Sequence, residues 1–163
     1  MHAIRRAQHK TAGKALALDL GPSIDLPISA YLPDGFIPDT QLRLRLYRRL
    51  ARIESVEEIK ALARELEDRF GELPEPVKGL LYLLRVRVVA AEAGVPAIKG
   101  NKSRIAIVLP MRVTAASIAL IHSRYRNAEA RGTRVWLTPV DGWQNKLLEL
   151  LQTLGEMTTA KRR

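Results

Sequence analysis

The sequence predicts an α+β fold: an N-terminal edge strand, a subdomain of three helices, then a small mixed sheet with two further helices. Three observations point there. Three helical apolar periods follow one another between residues 40 and 93 with no strand between them. Past these helices, short alternating or β-branched runs return after Gly94. Strands and helices are therefore mixed without the regular alternation that would build a parallel sheet.

Length and composition bound the rest. A chain of 163 residues suits one domain, long enough to bury roughly two thirds of its unfolded surface. The expected layout is a lead-in over 1–20, one α+β domain over 21–156 and a basic tail over 157–163. The hydrophobic fraction of 47% is ordinary, and with aromatics at 5% the core falls to Leu, Val, Ile and Ala. The longest strongly apolar run, Leu80 to Leu84, is far too short to cross a bilayer. No apolar stretch at the N-terminus suits a signal peptide, so a cytoplasmic location is expected. The absence of cysteine removes disulfides and thiolate metal sites.

The net charge of +10 raises nucleic acid as a partner. Its distribution argues against a basic domain. Residues 1–20 hold four Lys/Arg and one Asp, and Lys161, Arg162 and Arg163 close the chain. Between them 20 bases meet 16 acids. More than half of the excess sits on the ends, where it serves either solubility or polyanion binding by counterion release.

Taken in order, residues 1–20 show no sustained period, and Gly13 interrupts what helix there is at a cost of about 1 kcal/mol. His2 and His9 are too sparse for a metal tract. From Ile24 to Leu32 the apolar residues alternate with Asp25, Ser29 and Tyr31, the pattern of a half-buried strand. Pro27 cannot donate to a ladder, so the strand lies at an edge or breaks there. Pro33-Asp34-Gly35 makes a turn.

The first helix is expected from Thr40 to Ile53, capped by Asp39 or Thr40. Leu42, Leu46, Leu50 and Ile53 form its stripe, widened by Leu44 and Tyr47. Arg43, Arg45, Arg48, Arg49 and Arg52 form a basic face. That face is either solvated or a strip for a polyanion or partner, with Arg43, Arg48, Arg49 and Arg52 as candidate contacts.

The second helix opens on a capping box, Ser55 with Glu58. Val56, Ile59, Leu62, Ala63, Leu66 and Phe70 follow at helical spacing. The opposite face carries Glu57, Ala61, Arg64, Glu65 and Asp68. Glu65 and Asp68 lie three apart and are surface neighbours. With no histidine near and no glycine-rich loop before them, an ion-paired surface or an acidic docking face fits better than acid–base catalysis. Glu65 is also placed to pair with Arg69, and Asp68 with Arg64. Gly71, then Pro74 and Pro76, make a sharp corner into the third helix. That helix is expected from Pro76 to Ala93, with Gly94 past its end and apolar residues on more than one side.

Val95 to Lys99 and Arg104 to Leu109 read as a hairpin around Gly100-Asn101-Lys102. The glycine and lysine there lack the spacing of a phosphate loop. Thr114 caps a helix to about Tyr125, with His122 beside its apolar stripe and no second ligand at metal spacing. Arg134 to Thr138 is the third strand of this half. The last helix is expected to start at an Asp141 cap, to bury Trp143, Leu147, Leu150, Leu151 and Leu154, and to stop at Gly155.

Several of these segments together resemble a known family. They are Asp25-Leu26-Pro27, Ala30 to Asp39 (AYLPDGFIPD), Leu46 to Ala51 (LYRRLA) and Glu65 to Pro74 (ELEDRFGELP), followed by the aliphatic helix ending at Ala93-Gly94-Val95. The pattern is similar to the C-terminal domain of bacterial transcription-repair coupling factors. It is close over about residues 24–110 and looser to about 155. Residues 1–20 have no counterpart in it.

The resemblance implies an interaction module rather than an enzyme, without cofactor or metal, and a monomer. Family members are ATP-driven DNA translocases that push stalled RNA polymerase off DNA and recruit the excision-repair protein UvrA. Their motor motifs lie upstream of this domain. In them the terminal domain packs on the UvrA-binding module of the same chain and masks it. The acidic positions implicated in that contact correspond to Glu65 and Asp68. The alternative expectation is a freestanding nucleic-acid-binding protein that uses the arginine face and the basic ends.

Overall fold

The computed structural model describes residues 21–161. The expected lead-in over 1–20 and the final two tail residues lie outside the described residues. The architecture is the expected α+β, with five helices and one mixed sheet of five strands among the described residues. The described chain divides into two compact units. Ile28–Val88 forms the first, and Gly21–Pro27 with the segment from Val89 onward forms the second.

The first unit is a three-helix assembly fronted by an extended segment. Its helices are α1 (Thr40–Ala51), α2 (Val56–Phe70) and the first part of α3 (Glu75–Glu92). Leu46, Leu50, Ile59, Leu62, Leu66, Val77, Leu80 and Leu84 form one core with Leu32 and Ile37. Burying each leucine or isoleucine contributes roughly 1.5–3 kcal/mol. The expected strand through Leu32 is shorter than its pattern. Only Ser23–Asp25 (β1) is in the sheet, and the ladder stops before Pro27. Leu26 and Leu32 are still buried, so the alternation records burial rather than pairing. The segment is pinned instead by the Tyr47 hydroxyl, which accepts from the Leu32 amide at 2.8 Å, and by the Tyr31 amide donating to the Pro76 carbonyl at 3.2 Å.

Asp39 caps α1 by accepting from the Leu42 amide. Leu44, expected to widen the stripe, is 44% exposed. At 100° per residue it lies nearly opposite Leu46, Leu50 and Ile53. Ser55 caps α2, and its hydroxyl both accepts from the Glu58 amide and donates to the Glu58 carboxylate. Gly71 ends α2 at φ 92° and ψ −161°. This is not the left-handed helical region but the mirror-extended one, still open in practice only to glycine. Within α3, Gly79 sits against Ser29, where a Cβ would collide with the Ser29 carbonyl oxygen.

α3 closes with a Schellman arrangement. The Val95 amide donates to the Ala90 carbonyl and the Gly94 amide to that of Ala91, with Gly94 at φ 72°. The second unit then builds the sheet: β2 (Ala97–Gly100), β3 (Ile105–Val108), β4 (Ala128–Arg131) and β5 (Arg134–Leu137). The order is β1-β2-β3-β5-β4, with β1 parallel to β2 and every other pair antiparallel. Ile98, Ile107, Val135 and Ala130 make one cross-strand row on the buried face. Strand β4 was not expected. Its composition, Ala-Glu-Ala-Arg, favours helix, yet Ala128 and Ala130 alternate into the core while Glu129 and Arg131 face out.

Helix α4 (Ala115–Arg124) has the expected Thr114 cap. His122, expected packed or half-buried, is exposed. Helix α5 (Trp143–Ala160) departs from expectation at both ends. Gly142 at φ 77°, not Asp141, is its N-cap. It also runs through Gly155 to Ala160, five residues past the expected stop and into the expected tail. Gly155 lies inside the helix at a close approach rather than at its end: a Cβ there would lie 3.3 Å from the Ala93 Cα. Near it the Tyr125 and Thr153 hydroxyls share a buried 2.8 Å hydrogen bond.

Candidate functional site

The charged faces of α1 and α2 lie side by side in the first unit, joined by an ion pair between Arg49 and Glu65. On α1, Arg45, Arg48, Arg49 and Arg52 fall within about 100° of arc, and on α2, Glu58, Ala61, Glu65 and Asp68 within about 80°. The two faces border a cleft of about 370 Å³ lined by the four arginines, Ile53, Glu58 and Ala61.

The structure separates residues that the sequence could only group. Arg49 reaches across to Glu65 at 2.7 Å, and Arg69 holds the other Glu65 oxygen at 3.3 Å. The side chain of Glu65 is 33% exposed, so it is clamped between two guanidinium groups rather than simply outward. Its carboxyl is held below the usual range, chiefly by the hydrogen bond from Arg49. Arg69 in turn lies 5.1 Å from the Phe70 ring centroid, and Phe70 packs on Phe36. The corner at Gly71 thus fixes the end of the acidic face.

Asp68 is exposed and has no partner among the described residues; the pairing with Arg64 that its spacing permits is not made. Arg45, Arg48 and Arg52 likewise make no ion pair with a described residue. The candidate contacts on α1 therefore divide. Arg43 is not on the cleft at all. It turns beside the apolar stripe and donates to the Ile37 carbonyl at 2.6 Å and the Pro38 carbonyl at 3.2 Å. Arg49 is already paired. Arg48 and Arg52 remain available, joined by Arg45.

One arginine escaped the sequence reading. Arg87, in the apolar run of α3, donates at 3.0 Å to the carbonyls of both Leu50 and Ile53. It joins the Ile53 amide on the Leu50 carbonyl and takes the Ile53 carbonyl just past the end of α1, and burial lowers its pKa. A base inside an aliphatic helix was the available signal. Among the described residues no group of three or more His, Asp or Glu side chains could hold a metal ion, and no helix is long and apolar enough to cross a membrane.

Comparison with known proteins places these elements in a family. A sequence profile described as the TRCF domain matches residues 26–118, which include α1, α2, the corner and the first hairpin. The transcription-repair-coupling factor of Mycobacterium bovis is 34% identical over 110 residues, covering 68% of this chain and 9% of that protein. That of Escherichia coli is 39% identical over 79 residues, covering 48% of this chain and 7% of that protein. The chain thus spans less than a tenth of these relatives. A crystal structure of the C-terminal domain of transcription-repair coupling factor superposes with a TM-score of 0.59 at 25% identity, covering 85% of this chain and 93% of that one. The chain belongs to the TRCF domain family and is a domain of the transcription-repair coupling factor type.

Proposed function

We propose that this chain is a non-catalytic regulatory domain of a coupling factor, and that the acidic face of α2 masks the UvrA-binding module of the same protein. The whole protein in this reading is an ATP-driven DNA translocase of the cytoplasm that displaces stalled RNA polymerase and recruits UvrA. The family membership supports the context. The observation that carries the site is the pair on α2: Asp68 exposed and unpartnered among the described residues, one helical turn from Glu65 in its arginine clamp.

A carboxylate of this kind is recognised best by guanidinium, which gives charge-assisted hydrogen bonds. Asp68 can take a partner arginine directly. Glu65 must exchange Arg49 or Arg69 for it, or share its oxygens. Exposed pairs are worth about 1 kcal/mol or less each and weaken with salt, as a removable mask requires. In the test, Glu65→Lys with Asp68→Lys is made in the 163-residue chain. The isolated UvrA-binding module is then titrated onto it. The variant keeps its fold by circular dichroism and binds at least about fivefold more weakly; unchanged affinity sinks the assignment.

A second reading rests on the cleft. Arg45, Arg48 and Arg52 surround a concavity without ion-pair partners among the described residues, which suits a polyanion such as DNA. Binding of that kind would fall steeply with salt and survive the change at Glu65 and Asp68. The carboxylates of Glu58, Glu65 and Asp68 along the same surface oppose a phosphate backbone, so the masking reading is preferred.

A further inference from the structure

The second unit carries a groove unlike the charged cleft. The loop over residues 109–113, helix α4 and the last turns of α5 enclose about 430 Å³, lined by Leu109, Met111, Val113, Leu120 and Met157. Met111 is 66% exposed and Leu120 43%. They are two of the four large exposed apolar side chains among the described residues. The chain has three methionines, and both that follow Met1 are here. Methionine is unbranched and polarizable, and it adapts to varied apolar partners.

The charge around the groove is one-sided. Its lining contains Arg112 and Lys161 and no acidic residue. Neither base makes an ion pair with a described residue. The N-terminal turn of α4, with Thr114, Ala116 and Ser117, also borders it and adds the positive end of a helix dipole. A basic or neutral segment would leave this field uncompensated.

We propose that the groove docks an amphipathic acidic segment of a partner protein. Apolar side chains of that segment lie on Met111, Leu120 and Met157, and its carboxylates meet Arg112 and Lys161. This contact is separate from the α2 face, and its failure would leave the masking reading untouched.

The probe is a fluorescein-labelled peptide of about four helical turns, with Leu at helical i, i+3, i+4 and i+7 positions and Glu elsewhere. Two companions are used, one of the same composition shuffled and one with Lys for Glu. Anisotropy titrations use the full 163-residue chain. The amphipathic acidic peptide binds saturably, and the other two bind at least about tenfold more weakly. Met111→Glu and Leu120→Glu, both at exposed positions, retain the circular dichroism of the parent and weaken binding about tenfold or more. Arg112→Glu weakens it about threefold or more and flattens its salt dependence. Glu65→Lys with Asp68→Lys leaves it unchanged. Equal binding of the shuffled peptide, tighter binding of the lysine peptide, or indifference to Met111→Glu and Leu120→Glu overturns the proposal. So does a dimer in sedimentation velocity that Met111→Glu abolishes, since the occupant is then a second copy of this chain.

Discussion

The two units differ in the chemistry of their surfaces. In the first, the α1–α2 face is dense in charge and largely answers itself: Arg49 and Arg69 hold Glu65, Arg43 holds the carbonyls before α1, and Arg87 holds those at its end. In the second, the groove beside α4 is apolar at Met111 and Leu120, with two bases that make no ion pair among the described residues. The difference teaches that a run of arginines is not by itself a binding site. Arg43, Arg49, Arg69 and Arg87 serve the chain, and what remains at this face for a partner is Asp68 with the cleft bases Arg45, Arg48 and Arg52.

That contrast can be broken by substitution. The largest effect falls where backbone meets backbone. Gly79→Ala, which drives a Cβ into the Ser29 carbonyl, costs about 3 kcal/mol in urea unfolding. Gly155→Ala, facing the Ala93 Cα at 3.3 Å in the second unit, changes stability by less than about 1 kcal/mol, because the gain in helix propensity offsets the tighter contact. Equal costs would mean that the two glycines do not differ in closeness of approach. Next come the arginines. Arg87→Ala removes a donor shared by two carbonyls at 3.0 Å and costs about 2 kcal/mol, whereas Arg48→Ala changes stability by less than about 0.5 kcal/mol. A large loss at Arg48 would contradict the division between structural and available bases.

The smallest loss among the paired groups is that of the Glu65 clamp. Its carboxyl titrates below the ordinary value of 4.5, so the folded state binds that proton less well than the unfolded state does. The stabilisation is full above about pH 4.5 and is lost as pH falls through the lower, folded value. Because the pair is exposed, Glu65→Gln costs only about 0.5 kcal/mol at pH 7 and nothing in acid. Unfolding curves at the two pH values check the sign, and a cost that grows in acid would refute it.

Much of the fold was legible because it follows local rules. Asp39, Ser55 and Thr114 cap helices as their types predict, and the apolar periods of α1 to α3 define their buried faces. What was not legible depended on remote neighbours. Strand β4 is made by its pairing to β5, against the helical leaning of Ala128-Glu129-Ala130-Arg131. Gly155 reads as a stop in isolation, yet α5 runs through it, with Ala93 close by. At the site, the acidic face of α2 followed from period alone. That Glu65 is clamped and Asp68 is not could not, since the decisive partner, Arg49, lies on another helix. Arg49 looked equivalent to Arg48 and Arg52 for the same reason, and Arg43 because period alone does not show its bonds to the Ile37 and Pro38 carbonyls.

The central claim is that the exposed carboxylate of α2 docks a complementary module. It is tested most directly by titrating the isolated UvrA-binding module, at low and at physiological salt, onto the 163-residue chain and two variants of equal charge change. Asp68→Lys alters the proposed contact, and Glu129→Lys alters an outward-facing side chain of β4 in the other unit. The account predicts that Asp68→Lys weakens binding about fivefold or more, with a smaller salt dependence, and that Glu129→Lys stays within about twofold of the parent. Equal losses in the two variants, or none at Asp68, would contradict it.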